Sequence, residues 1–232
     1  MGVVQGDWHE FAASGELAAA LAGRVAEVLR EAIGKRGTAT LAVSGGTTPG
    51  LFFRALSHER LDWAKVTMTL VDERFVEPTS PRSNAGLVAA NLLQNEAAAA
   101  RFVGLYHRAD TVEEAARLAD KEVARLLPLD AVVLGMGTDG HTASFFPDAD
   151  TLPALLNPAA KANVLPAHTQ SGIEPRLTLT LARIVEAGFV ALHIEGQEKR
   201  AVLEAALGVQ KHLPVRAVFD HAKTPIGIYW TP

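Results

Sequence analysis

Short β-branched runs alternate regularly with longer segments rich in Ala, Leu, Glu and Arg, and this pattern narrows the possible folds more than any other feature. Strand-like runs stand at 38–43, 66–71, 130–134, 163–165, 177–181, 189–194 and 226–230. Helical patterns fill 16–34, 49–57, 83–93, 112–127 and 197–207. A strand followed by a helix cannot pair with its successor through a tight turn. The chain must cross over the sheet, and crossovers of this kind give parallel strands covered by helices. The expected fold is α/β and Rossmann-like, with a mostly parallel central sheet covered by helices on both faces. At 232 residues and 48% hydrophobic, the chain can bury the core of one domain spanning 1–232. No fixed-period repeat or low-complexity linker divides it. The run 176–181 alternates at period two and is expected to show one face to a less buried side.

Residues 147–175 are punctuated by Pro147, Pro153, Pro158, Pro166 and Pro175, so little regular structure beyond short turns is expected there. The stretch leaves from a glycine-rich loop and returns at Arg176. It is therefore expected to wall a pocket, with His168 or Arg176 near the substrate; a surface loop remote from chemistry is the alternative.

Zero cysteines remove disulfides, thiolate metal sites and thiol nucleophiles. The net charge is −4, from 22 Lys+Arg against 26 Asp+Glu, and no basic stripe or arm is present, so no nucleic-acid partner is expected. An anionic small molecule would have to be held by local cations, because the overall field has the wrong sign. No stretch approaches the roughly 18 apolar residues of a membrane span. The opening Met-Gly-Val-Val-Gln-Gly-Asp-Trp lacks a basic region followed by an apolar one, so no signal peptide is expected and the expected address is cytoplasmic. A monomer or small homo-oligomer is expected, with no membrane partner.

Four motifs follow directly on strand-like runs. Ser44-Gly-Gly-Thr-Thr-Pro49 precedes a helix, where Gly45, Gly46 and the hydroxyls of Ser44 and Thr47 can cradle a phosphate on free backbone N–H groups. The same letters also suit an ordinary tight turn. They are neither a dinucleotide fingerprint nor a P-loop. Val71-Asp-Glu-Arg-Phe-Val76 offers Arg74 as a planar fork of donors, with Asp72 and Glu73 to hold it, or else a solvated charged turn. Gly135-Met-Gly-Thr-Asp-Gly-His141 delivers Asp139 and His141 two positions apart on a loop whose glycines admit close approach to the backbone. A histidine beside a carboxylate can take and return a proton near neutral pH, so His141 is the candidate general base and Asp139 its orienting partner. No H-E-x-x-H motif points to a metal, and no metal or cofactor is expected. Gly196-Gln-Glu-Lys-Arg200 adds Lys199 or, if that side chain points away, Arg200. A parallel sheet gathers all four motifs along one edge.

At these residues the chain resembles the 6-phosphogluconolactonases. The shared stretches are SGGTTP at 44–49, VDERFV at 71–76, Ser83-Asn84, GMGTDGHTASFFP at 135–147, PRLTLT at 175–180 and a G-x-x-K at 196–199, in the family's order. The resemblance implies hydrolysis of 6-phospho-D-glucono-1,5-lactone in the oxidative pentose phosphate pathway, without a cofactor. The related glucosamine-6-phosphate deaminases share the Gly-Gly loop and a G-x-G-x-D-G-H segment. They typically carry Tyr after the acidic dipeptide and a glutamate five positions beyond the loop histidine, where this chain has Arg74 and Phe146. The chain departs from the lactonase pattern at 170–175, which reads Gln-Ser-Gly-Ile-Glu-Pro rather than a Lys-Pro-Pro-like run. The alternatives are a deaminase or isomerase, and a non-catalytic sugar-phosphate sensor on the same fold.

Overall fold

The computed structural model describes residues 6–169 and 174–232. Two expectations reach outside the described residues: the character of the first residues, 1–5, and the stretch 170–173 within the Pro-rich excursion. In chain order the strands are β1 (Asp7–Glu10), β2 (Ala39–Val43), β3 (Val66–Leu70), β4 (Asp72–Arg74), β5 (Arg101–Val103), β6 (Ala131–Leu134), β7 (Val164–Ala167), β8 (Arg176–Leu179), β9 (Phe189–Glu195) and β10 (Gly227–Thr231). The helices are α1 (Ser14–Arg36), α2 (Gly50–Ser57), α3 (Asn84–Asn91), α4 (Val112–Val123), α5 (Leu152–Leu155), α6 (Leu181–Val185), α7 (Gln197–Leu207) and α8 (Val215–His221).

Seven strands form one sheet in the order β1-β10-β9-β6-β2-β3-β5, and every pairing in it is parallel. Parallel neighbours require crossovers, and crossovers are right-handed. The connections β1–β2, β2–β3 and β3–β5 all step toward the β5 edge, so α1, α2 and α3 share one face. The connections β5–β6, β6–β9 and β9–β10 step the other way and place α4, α6, α7 and α8 on the opposite face. Contacts of α2 with α1 and α3, and of α8 with α6 and α7, fit this division. A sheet covered on both sides needs strands that are apolar throughout rather than alternating. β6 reads Ala-Val-Val-Leu, with all four residues buried.

A second sheet, β4-β8-β7, is antiparallel and small. The expected strand at 177–181 belongs to it. That run starts one residue earlier and gives way at Leu181 to α6, and all four residues of β8 are buried, so neither of its faces is solvated. The Pro-rich excursion is more regular than its prolines suggest. It holds the single turn α5 and the strand β7, which packs on α4 and pairs with β8. The helix expected at 112–127 stops at Val123. Leu127 precedes Pro128, a position driven out of helical geometry, and residues 124–126 tighten into a turn.

Glu73 ties the small sheet to α3. It is fully buried and accepts hydrogen bonds from the backbone N–H groups of Arg74 (2.7 Å), Asn84 (2.8 Å) and Ala85 (2.8 Å) and from Ser83 Oγ (3.0 Å). Burial pushes its carboxyl up from the usual range, and the four donors pull it partly back. Its charge thus serves the orphan N–H groups at a helix start. Glu73→Ala leaves several buried donors without an acceptor, at roughly 1–3 kcal/mol each. Urea denaturation should show a loss of about 3 kcal/mol or more; a loss under about 1 kcal/mol would contradict this role.

Candidate active site

β2 and β6 are neighbours, yet the chain leaves them in opposite directions across the sheet. Their carboxyl ends therefore flank a crevice, the place where ligands bind in open parallel sheets. A cleft of about 190 Å³, open to solvent, lies there.

The loop after β2 supplies Ser44 through Thr48. Its glycines are needed for different reasons. A Cβ on Gly45 would come within 2.0 Å of Asn84 Oδ1, and Gly46 has φ 102°, in the left-handed region. Asn84 is held in turn by donating Nδ2 to the Asp72 carbonyl at 2.8 Å. The loop thus packs against the start of α3, where the Ser83-Asn84 pair of the sequence is used.

Asp72 and Arg74 reach the cleft from β4, and Arg176 from β8 opposite. Asp72 is buried and accepts from Ser144 Oγ at 2.7 Å. Arg74 Nη1 donates to the Arg82 carbonyl. Burial pulls the Arg176 pKa down from its usual value, while Asp72 and Glu174 pull it up and Arg74 and Arg82 push it down. Lys199, on the first turn of α7, donates Nζ to Thr48 Oγ1 at 3.3 Å. Burial lowers its pKa as well, against the attraction of Glu195 and Glu198. Ser44 Oγ, Arg74 Nε and Arg176 Nε are buried without a hydrogen-bond partner. Buried polar atoms are rarely left so. Three on the walls of one cleft are free to bond a polar ligand.

The loop after β6 sets the histidine. His141 Nδ1 lies 2.5 Å from Asp139 Oδ1, which also accepts the His141 backbone N–H at 3.2 Å. With the Nδ1 proton donated to the carboxylate, the lone pair of the neutral ring stands on Nε2. Burial alone would raise the Asp139 pKa, but hydrogen bonds and charge attraction from His141 outweigh it and hold the carboxyl below its usual value. Gly140 has φ 76°, its carbonyl accepts the Val215 N–H at 3.0 Å, and Leu213 packs on its open side. Ala143 lines the cleft at φ 51°, a conformation costing a non-glycine residue about 1–3 kcal/mol. The ring of Phe146 sits 4.5 Å from that of His141.

The cleft therefore brings together Ser44, Gly45, Gly46, Thr47, Asp72, Arg74, His141, Arg176 and Lys199. Asp139 supports it from behind. Two expected residues stand elsewhere. His168 pairs with Glu113 at 2.8 Å on the surface. Arg200 is turned to the β1 edge, where it pairs with Glu10 (3.0 Å) and Glu204 (2.9 Å) and lies over Trp8 and Trp230. It cannot replace Lys199, because neighbouring helix positions face about 100° apart. None of the described residues of the excursion before Arg176 lines the cleft. Sequence reasoning passed over His193, a cleft-lining residue in β9. It is buried, its pKa is lowered by burial against the pull of Glu195, and its only signal is one polar letter in Phe-Val-Ala-Leu-His-Ile. Among the described residues no cluster of three or more His, Cys, Asp or Glu is placed to hold a metal ion, and no helix is long and apolar enough to cross a membrane.

The sequence profile of the family described as glucosamine-6-phosphate isomerases/6-phosphogluconolactonase matches residues 12–226. The 6-phosphogluconolactonase of Mesorhizobium japonicum is 60% identical over 227 residues, covering 97% of this chain and 95% of that protein. That of Rhizobium meliloti is 52% identical over 227 residues, covering 97% and 98%. The crystal structure of a 6-phosphogluconolactonase from Shewanella baltica superposes over the whole of both chains, with a TM-score of 0.95 at 37% identity.

Gly137 is the tightest constraint on the histidine. A Cβ there would lie 2.3 Å from the His141 ring and 2.6 Å from Asp139 Oδ1. Gly137→Ala should leave the protein folded, since no core contact is involved, and lower turnover by about 10²-fold through misplacement of the ring. Near-normal turnover in that variant would show that the pair tolerates displacement.

Proposed function

The chain belongs to the family of glucosamine-6-phosphate isomerases and 6-phosphogluconolactonases, and we propose that it hydrolyses 6-phospho-D-glucono-1,5-lactone to 6-phosphogluconate. One observation carries the reading: the His141–Asp139 pair stands at a cleft whose other walls hold partly buried cations and unpaired donors. The relatives that bear the lactonase name at 60% and 52% identity support it. Arg74 and Phe146, at the positions where the deaminases carry Tyr and Glu, support it too. The reaction belongs to the oxidative pentose phosphate pathway.

The phosphate is assigned to the Gly45-Gly46-Thr47 backbone and the hydroxyls of Ser44 and Thr47, with Arg74 and Lys199 supplying charge. The positive end of the following helix favours an anion there. The lactone carbonyl is then presented to His141. Nε2 removes a proton from water as its oxygen attacks C1, giving a tetrahedral oxyanion and an imidazolium. Asp139, already ionised, steadies that imidazolium and keeps the ring in register. Collapse of the intermediate breaks the bond from C1 to the ring oxygen, and His141 returns its proton to that oxygen. Ser44 and Thr47 have no base beside them and act as binding groups. The strained ring ester is reactive enough for water activation and positioning to suffice.

Lactone generated in place should disappear faster with the protein than without it, and no acceleration over spontaneous hydrolysis would sink the proposal. His141→Ala should lower kcat by about 10²–10⁴ with little change in KM. Wild-type-like turnover would remove His141 from the chemistry. Arg74→Ala should mainly raise KM for the phosphorylated substrate. A fall in kcat alone would move Arg74 to the carbonyl end, as an oxyanion partner.

A further inference from the structure

Consecutive phenylalanines follow the catalytic loop and serve different ends. Phe145 is fully buried in the core, whereas Phe146 is only half-buried and lies beside His141 and Arg176, two residues that line the cleft. The core therefore does not explain Phe146. Its ring centroid lies 4.5 Å from that of His141, with the planes 39° apart. The guanidinium carbon of Arg176 lies 5.5 Å from the same centroid. Both distances fall within the roughly 6 Å over which an aromatic ring attracts a cation. Arg176 carries its charge throughout the reaction. His141 carries one only after it has taken the proton from water.

We infer that Phe146 is a positioning residue whose ring electrons hold His141 in the cleft and stabilise its imidazolium more than its neutral form. Only an interaction stronger in the transition state than in the ground state accelerates the chemical step. Stacking on the neutral ring is present before and during proton transfer and cancels; the attraction between ring electrons and the new positive charge does not. Asp139 acts in the ring plane through Nδ1, and Phe146 completes the surroundings of the cation through its π-system. The contact with Arg176, whose charge does not change, is the same in both states and cancels. The inference rests on the assignment of His141 as the base.

The test is a series in which Phe146 is replaced by singly, doubly and triply fluorinated phenylalanine, which withdraws ring electrons stepwise with little change of shape. The expected result is a stepwise fall in kcat with nearly constant KM, reaching about 2- to 30-fold, the size of a cation–π contact in rate terms. Phe146→Leu should fall at least as far, and Phe146→Tyr should restore most of the rate; urea denaturation of each variant separates this from unfolding. In a His141→Ala background the fluorine series should be flat. A flat series in the otherwise unaltered protein, a change confined to KM, or a slope that persists without His141 would each overturn the inference. Wild-type-like turnover of His141→Ala would sink the base assignment itself, whereas a large loss there with a flat fluorine series overturns only the role of the ring.

Discussion

The site depends on the divergence of two adjacent parallel strands. Because every strand of the main sheet is parallel and its crossovers share one hand, the chain departs from β2 toward one edge and from β6 toward the other. That divergence opens a gap between their carboxyl ends. The Ser44–Thr48 loop closes one side of that gap and the Gly135–His141 loop the other, and a backbone hydrogen bond of 2.9 Å from Ser44 N–H to the Val133 carbonyl fixes their separation. The small antiparallel sheet then brings Asp72, Arg74 and Arg176 over the opening, and Glu73 locks that sheet to α3. Chemistry is thus placed by topology first and by side chains second.

Electrostatics follow from that placement. A chain of net charge −4 attracts an anion only where cations are concentrated and partly shielded from water. Burial lowers the pKa of both Lys199 and Arg176, and the same low dielectric that penalises their charge strengthens their attraction for a bound phosphate or oxyanion. Carboxylates stand behind each cation, Glu195 near Lys199 and Glu174 near Arg176, so charge is retained while donors remain free. The unpaired Ser44 Oγ, Arg74 Nε and Arg176 Nε follow from the same arrangement. They remain free to bond a polar ligand.

Much of this was legible in the sequence because it rests on local signals. Apolar runs of five or six residues gave β2, β3, β6 and β9 within a residue or two, and α7 begins and ends as its pattern indicates. The glycine loops read as sites because glycine's freedom is a local property, and Gly45, Gly46, Gly137 and Gly140 prove to be needed for contact or conformation. What stayed hidden is non-local. β1, β4 and β5 are three or four residues long, reading Asp-Trp-His-Glu, Asp-Glu-Arg and Arg-Phe-Val, and only pairing makes them strands. Arg200 and Lys199 are neighbours in sequence, and it is Arg200 that lies over the rings of Trp8 and Trp230, away from the active-site cleft. His168 is expected near the substrate from its place in the Pro-rich excursion, yet just after β7 it pairs with Glu113 on α4. Glu73, expected either to hold Arg74 or to lie in a solvated turn, is fully buried and accepts from the start of α3.

The most direct test of the account is a crystal structure of the protein with 6-phosphogluconate. The account predicts phosphorus beside the Gly45-Gly46-Thr47 backbone, with Lys199 and Arg74 on its oxygens, and the carboxylate within about 3 Å of His141 Nε2, the reach of a working general base. Product bound in the reverse sense, with its phosphate against His141, or bound away from the crevice between β2 and β6, would contradict it.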